Sequence, residues 1–263
     1  PKNYQISQYD QPLCVEGSLE IEAGGETSAV GITRVHLEED TGKSTHLGGT
    51  GRIHEADAAL IDFNRSGVPL MEVVTEPDMR TPEQARAYAA ELRAIVLALG
   101  ISDARLEEGS LRFDANVSIR PEGAGELGVK VEVKNMNSLR SLQRALAHEI
   151  ERQTALAEAG EPIAQETRHW DEAAGSTKPG RSKEQSSDYR YFPEPDLVPL
   201  HVSDDDRKRV AAGLPELPAR RRARYRDLGV DAEGARLLVD DAALAGVFED
   251  AAAAGADPQA AAN

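Results

Sequence analysis

Between residues 31 and 46 the chain reads GITRVHLEEDTGKSTH, an apolar, strand-like entry that breaks into acids and then into basic and hydroxyl residues. Glu38, Glu39 and Asp40 offer hard oxygen ligands, while Arg34, Lys43, Ser44 and Thr45 offer donors for phosphate oxygens. That mixture suits chemistry on a charged substrate through a metal and a nucleotide; the same residues also suit a solvated turn. Gly42, Lys43 and Ser44 spell the end of a phosphate-binding loop, but the first glycine of such a loop would fall at Leu37, so the motif is not a P-loop. HExxH, GxSxG and paired-cysteine spacings are absent. The six histidines are scattered, with His36 and His46 flanking the acids.

Three more acids stand singly inside strand-like runs: Glu72 in VPLMEVV, Asp114 in LRFDANVSI and Glu132 in VKVEVKN. A carboxylate buried bare costs several kcal/mol, so each must be paired, hold a cation or lie on a wet face.

The elements that carry these residues are legible in outline. Residues 4–6, 18–21 and 29–36 read as strands of an antiparallel meander, with Gly24 and Gly25 turning a hairpin. Residues 46–57 read as a glycine-bearing loop, and 59–63 and 68–75 as strands joined by a turn at 64–67. A helix is predicted over 81–100: Thr81 and Gln84 form a capping box, Pro82 takes the first position and Gly100 stops it. Its apolar stripe, from Ala85 through Tyr88, Leu92 and Val96 to Leu99, is expected to pack on a sheet. Strands follow at 110–119 and 128–134, then a helix over 138–159 capped by Asn137, with Leu139, Leu142, Leu146 and Ile150 inward and Gly160 at its end. Residues 160–199 read as a long polar loop. Arg168, Trp170, Lys178, Arg181, Lys183, Tyr189, Arg190, Tyr191 and Phe192 within it are basic and aromatic groups of the kind that could contact a nucleotide or an RNA end. From 203 onward only helices are expected, one of them starting at Pro218.

At 263 residues and 40% hydrophobic composition the chain can bury a sizeable core, in one large domain or two unequal ones. No apolar run approaches the roughly 20 residues of a membrane span, and the opening residues are too polar for a signal peptide. A soluble, cytoplasmic protein is the expectation. The single Cys14 excludes an intramolecular disulfide and reads as a small semi-buried apolar residue. A net charge of -16 opposes generic binding to nucleic acid, so any RNA contact must be local. One such stretch is ARRRARYR at 219–226, which reads equally as the charged face of an exposed helix.

The runs YQISQYDQP, GITRVHLEEDTGKSTH, DFNRSGVPLMEVVTEPD, LEEGSLRFDANVSIRP, VEVKNMNS and SSDYRYFPEPDLVPL resemble the B-subunit family of the bacterial aspartyl/glutamyl-tRNA amidotransferases, over about residues 1–220. The resemblance implies an α+β fold: a cradle-like domain with a mostly antiparallel sheet and packed helices, related to glutamine synthetase and the guanidino kinases. It implies a catalytic domain at 1–213 and the start of a helical domain at 214–263. It implies a carbon-nitrogen ligase with glutamine as amide donor, in which ATP and Mg2+ phosphorylate the side-chain carboxylate of Glu-tRNA(Gln) or Asp-tRNA(Asn). Ammonia from a glutaminase partner then gives the amide. The A and C subunits of the amidotransferase and the misacylated tRNA are the implied partners, with no membrane. The family's metal site matches Glu39, Glu72, Asp114 and Glu132 here. Arg34 and Lys43 become the residues for ATP phosphates, and Lys134 and Asn135 those that orient the acyl phosphate or ammonia. The chain begins downstream of the family's Gly-Leu-Glu-x-His motif and ends before its tRNA-binding domain, so an inactive fragment is expected. Two other classes stay open: a non-catalytic scaffold that presents tRNA, and a ligase acting on free glutamate.

Overall fold

The computed structural model describes residues 5–47, 58–180 and 194–263, with the backbone alone described at 43–47. The described residues are mixed α+β, with three sheets and seven helices, and fall into two compact units. The first takes the described parts of residues 1–20, 27–79 and 182–200; the second takes 21–26, 80–181 and 201–263. No helix among the described residues is long and apolar enough to cross a membrane.

In the first unit the organising strand is β2 (Glu26–Glu39), which lies between β1 (Cys14–Ala23) and β5 (Pro69–Thr75). Gly24 and Gly25 turn β1 into β2 with φ of +63° and +84°, the left-handed pair that a tight two-residue hairpin turn demands. The β2–β5 ladder is antiparallel and pairs Arg34 with Val74, His36 with Glu72 and Glu38 with Leu70, after an irregularity between Ile32 and Arg34. Three expectations change here. Residues 5 and 6 form no strand; only Ser7 bridges to Glu38. Residues 43–47 belong to β3 (Lys43–Leu47), paired with β4 (Ala58–Asp62), so strand begins where a loop was expected from 46; residues 48–57 lie outside the described set. Cys14, expected half-buried, is exposed.

In the second unit, helix α1 (Pro82–Ala98) starts at Thr81, whose side chain accepts from Gln84 N. The return bond of the predicted box goes to Arg80 N, one residue outside the cap. Helix α2 (Leu139–Glu158) is capped by Ser138 rather than Asn137, because Ser138 supplies the oxygen that accepts from Ser141 N. The two helices run against each other, so α1 does not rest on a sheet alone. Four strands follow the order β6 (Ala115–Val117), β7 (Val131–Lys134), β8 (Thr167–Asp171), β9 (Ser176–Pro179); the β7–β8 pair is parallel and the others antiparallel. Val117, Val133 and Trp170 meet Ala89, Leu142, Ala145 and Leu146 in the core between sheet and helices. The predicted strand at 110–119 thus shrinks to three residues, and Asp114 sits just before it.

Strands β8 and β9 occupy what the sequence presents as a polar loop. Arg168 points inward there, with its charge met by Glu166 at 2.6 Å, Glu149 at 3.7 Å and the Thr177 carbonyl at 2.8 Å. Trp170 is buried and donates to Glu172 at 2.5 Å, and Lys178 pairs with Asp171. Arg168 and Trp170 are therefore committed within the fold, whereas Lys178 stays exposed; Arg181, Lys183, Tyr189, Arg190, Tyr191 and Phe192 lie outside the described residues.

Helices α3 (Asp204–Ala212), α4 (Pro218–Asp227), α5 (Ala232–Asp240), α6 (Ala242–Ala253) and α7 (Pro258–Ala262) complete the second unit. Tyr225, Val230, Leu238 and Phe248 form their core. The ARRRARYR run is α4, and four of its five arginines are spent on carboxylates: Arg222 on the buried Glu91 of α1, Arg224 on Glu216 and Glu249, Arg221 on Glu216 and Arg226 on Glu22. Most of its arginines thus tie elements of the fold together, while Arg220 and Arg226 stay exposed.

Candidate functional site

Strand alternation decides which side chains of the opening motif meet. Residues 34, 36 and 38 of β2 share one face, and Glu72 shares it because it stands directly opposite His36. The His36 ring is fully buried; with the proton on Nε2 it donates to Glu38 Oε1 at 3.0 Å, and Glu72 Oε2 lies 3.5 Å from the same nitrogen. Gln5 and Ser7 donate to the two oxygens of Glu38 at 2.9 and 3.0 Å. Burial raises the pKa of Glu72 above the usual carboxylate range, the neighbouring Glu38 adds to the rise, and His36 and Arg34 oppose it.

One potential ligand atom from each of His36, Glu38 and Glu72 lies within 4.8 Å of the others. With Nε2 deprotonated, its separations of 3.0 Å from Glu38 Oε1 and 3.5 Å from Glu72 Oε2 come near the roughly 3.0 Å between adjacent ligands of a six-coordinate ion with bonds of about 2.1 Å. Arg34 stacks 4.5 Å over the Tyr9 ring, and its buried Nε has no partner within the described residues, which suits a donor held for an anion. Glu39 lies at the next position, on the face of Leu37 and Met71, and its Oε1 accepts from Ile6 N at 3.4 Å. The structure thus brings Glu38, which the sequence reading sets behind Glu39, to Glu72. Asp40 pairs with Arg65 at 3.0 Å, and Lys43 opens β3 opposite Asp62.

In the second unit the other two predicted acids also meet. Val131 and Val133 of β7 face the core, which turns Glu132 and Lys134 to the opposite, wetter face. Lys134 Nζ lies 3.1 Å from Asp114 Oδ2 and 3.5 Å from Glu132 Oε1. Thr167 on β8, in register with Glu132, donates to its other oxygen, Oε2, at 2.8 Å. Asn135 follows with φ of +69° and donates through Nδ2 to the Trp170 carbonyl at 3.0 Å. Lys134 thus stands between the two carboxylates and offsets part of their charge.

Glu39 and Glu72 therefore belong to the first unit and Asp114 and Glu132 to the second. Two contributors escape the sequence reading. Thr167 lies in the segment read as loop, where the buried positions are Arg168 and Trp170 and no alternation of apolar residues marks the strand. Glu38 is one of three adjacent acids, and only its strand phase relative to His36 separates it from them.

The catalytic-domain model of the GatB/GatE family matches residues 1–208, and the chain belongs to that family. It is similar to the B subunit of the aspartyl/glutamyl-tRNA(Asn/Gln) amidotransferase of Frankia casuarinae, 57% identical over 266 residues that cover 98% of this chain and 52% of that relative. The protein of the same name from Nostoc punctiforme is 54% identical over 269 residues, covering 100% of this chain and 55% of the relative. The chain spans about half the length of these curated relatives.

Proposed function

We propose that this chain carries the ATP- and Mg2+-dependent kinase chemistry of a tRNA-dependent amidotransferase. The side-chain carboxylate of Glu on tRNA(Gln), or of Asp on tRNA(Asn), attacks the γ-phosphorus of ATP; the bond to the β-phosphate oxygen breaks and ADP leaves. Ammonia then attacks the acyl carbon of the mixed anhydride, and phosphate departs to leave the amide. The observation that carries this reading is the Asp114–Lys134–Glu132 arrangement on the wet face of β7.

In the first unit Glu72 would hold magnesium, with Glu38 and His36 beside it, and in the second Asp114 and Glu132 would hold it; Glu39 is assigned to magnesium on the family resemblance alone. Bound magnesium supplies neutralisation of phosphate charge during transfer. Arg34 would donate to a phosphate oxygen through its buried Nε, and Lys43 is assigned to the same phosphates. Lys134 would neutralise the acyl phosphate, and Asn135 would orient it or the incoming ammonia. The A and C subunits would supply ammonia and complete the assembly in the bacterial cytoplasm, and residues 1–213 would form the catalytic part, related in fold to glutamine synthetase and the guanidino kinases.

The competing reading is a scaffold that presents tRNA, and it is favoured by the fact that the acids already have protein partners. The two separate in the full-length protein assembled with its partners, given Glu-tRNA(Gln), ATP, Mg2+ and ammonium chloride in place of glutamine. The kinase reading expects ADP to form only when misacylated tRNA is present, with free glutamate without effect. ADP formation that is independent of misacylated tRNA contradicts it.

A further inference from the structure

Arg34 carries a buried donor, Nε, that has no hydrogen-bond partner among the described residues, and its guanidinium carbon lies 4.5 Å from the centroid of the Tyr9 ring. That ring is itself placed from β2. Gln8 N donates to the Leu37 carbonyl at 2.9 Å and the Gln8 side-chain oxygen accepts from Leu37 N at 3.0 Å, so both backbone groups of Leu37 grip the residue before Tyr9. Tyr9 N donates to the Ser7 hydroxyl at 3.2 Å, and that hydroxyl donates to Glu38 at 3.0 Å. The ring meets His36 edge-on, with 6.2 Å between centroids and 89° between planes. Arg34 is fixed from its own strand as well. Between Ile32 and Arg34 strand β2 advances two residues while β5 advances one, from Thr75 to Val74, and the extra residue, Thr33, donates through its hydroxyl to Glu76 at 2.7 Å. A bulge of this kind aims the side chain that follows it.

Resting on the reading of Arg34 as a phosphate contact, we infer that Tyr9 is a positioning residue that presents the Arg34 guanidinium to the triphosphate of the nucleotide. A guanidinium donates its hydrogen bonds in its own plane, in a fork that matches two oxygens of one phosphate. An ion pair with a carboxylate occupies that fork, whereas an aromatic face attracts the cation and accepts none of the fork's hydrogen bonds. The distinction matters at this position because Glu38 and Glu72 lie on the same face of the sheet as Arg34. Without the ring the guanidinium can turn toward those carboxylates, and a phosphate must then displace them. Tyr9 thus acts through Arg34 and touches no part of the nucleotide.

The test is isothermal titration of the full-length protein in its complex, with MgCl2 present, using inorganic tripolyphosphate and separately β,γ-methylene ATP. The unchanged protein is compared with Tyr9→Leu, Tyr9→Phe, Arg34→Gln and the double variant Tyr9→Leu with Arg34→Gln. Tyr9→Leu removes the ring face; Tyr9→Phe keeps it. The expected result is a loss of about fivefold in affinity for both ligands in Tyr9→Leu, the range of one cation–π contact at an exposed ring, with Tyr9→Phe near the unchanged protein. In the Arg34→Gln background Tyr9→Leu should cost nothing more, which a general loosening of the fold would not produce. The role of Tyr9 is overturned, and the phosphate reading stands, if Arg34→Gln weakens both ligands while Tyr9→Leu does not, if Tyr9→Phe loses as much as Tyr9→Leu, or if Tyr9→Leu costs the same with and without Arg34. A Tyr9→Leu loss confined to the ATP analogue also overturns it, since the ring then meets the base. Arg34→Gln without effect on either ligand, or no binding of either by the unchanged protein, overturns the phosphate assignment and the inference with it.

Discussion

His36 and Glu72 stand directly opposite each other on β2 and β5, with Nε2 of the buried ring 3.5 Å from a carboxylate that also meets Glu38. The first unit therefore concentrates negative charge on one imidazole.

The raised pKa of Glu72, caused first by burial and then by Glu38, sets the sign of a pH effect. A carboxyl whose folded pKa lies above its unfolded value of 4.5 destabilises the fold when ionised. That cost is absent well below the unfolded value, grows as pH rises through the interval up to the folded value, and is complete above it. Glu72→Gln should therefore raise the melting temperature at about pH 8 in the presence of a chelator, and leave it nearly unchanged at about pH 3. Thermal unfolding followed by circular dichroism across pH checks this; a lower melting temperature at the higher pH would contradict it.

Glu149 shows the opposite sign. Burial resists its ionisation, but hydrogen bonds from Arg152, Gln153 and Thr177 and the Arg152 charge more than offset that and hold its pKa below the usual range. Its contribution is present above the ordinary value of 4.5 and is lost as pH falls through the depressed one. Glu149→Ala strands Arg152 and Arg168 and should cost about 3–5 kcal/mol in denaturant unfolding at neutral pH. A loss below about 1 kcal/mol would show that the network adds little.

The pair of Arg222 and Glu91 ties α4 to α1 with both side chains largely buried. Either single alanine substitution should destabilise by about 3–5 kcal/mol, and the double substitution by much less than the sum, because each single change leaves a buried charge unpaired. Additive losses in the double-mutant cycle would contradict the coupling.

Asn135 combines a left-handed backbone with a side-chain bond to the Trp170 carbonyl, so its structural and chemical roles can be separated. Asn135→Gly should fold within about 1 kcal/mol of the unchanged protein, since glycine accepts a φ of +69°, while losing the side chain proposed to orient acyl phosphate or ammonia. Asn135→Ala should be less stable by a further 1–2 kcal/mol or so, from left-handed strain. Amidation in Asn135→Gly at the unchanged rate would remove Asn135 from the chemistry.

What the sequence discloses follows from how each element is stabilised. The α1 start, the Gly24–Gly25 turn and the apolar stripe of α2 are local signals, carried by a cap, two positive φ values and a helical period. Strands β8 and β9 stay hidden because β8 buries Arg168 rather than an aliphatic residue, its charge being met by Glu149 and Glu166 from elsewhere in the chain. The long predicted strand around Asp114 fails because only residues 115–117 find a partner in β7. At the candidate sites the lone acids Glu72, Asp114 and Glu132 stand out against apolar neighbours. Their partners His36, Lys134 and Thr167 do not, since cross-strand register and not composition selects them.

The most direct measurement is hydroxylamine trapping of an activated glutamyl group on Glu-tRNA(Gln), with ATP and Mg2+, by the full-length protein in its complex. The account predicts ATP-dependent hydroxamate from the unchanged protein, and a loss of about a hundredfold in Glu132→Gln and in Asp114→Asn with the fold intact by circular dichroism. Hydroxamate formed at the unchanged rate by both variants would contradict it and leave the chain as a scaffold.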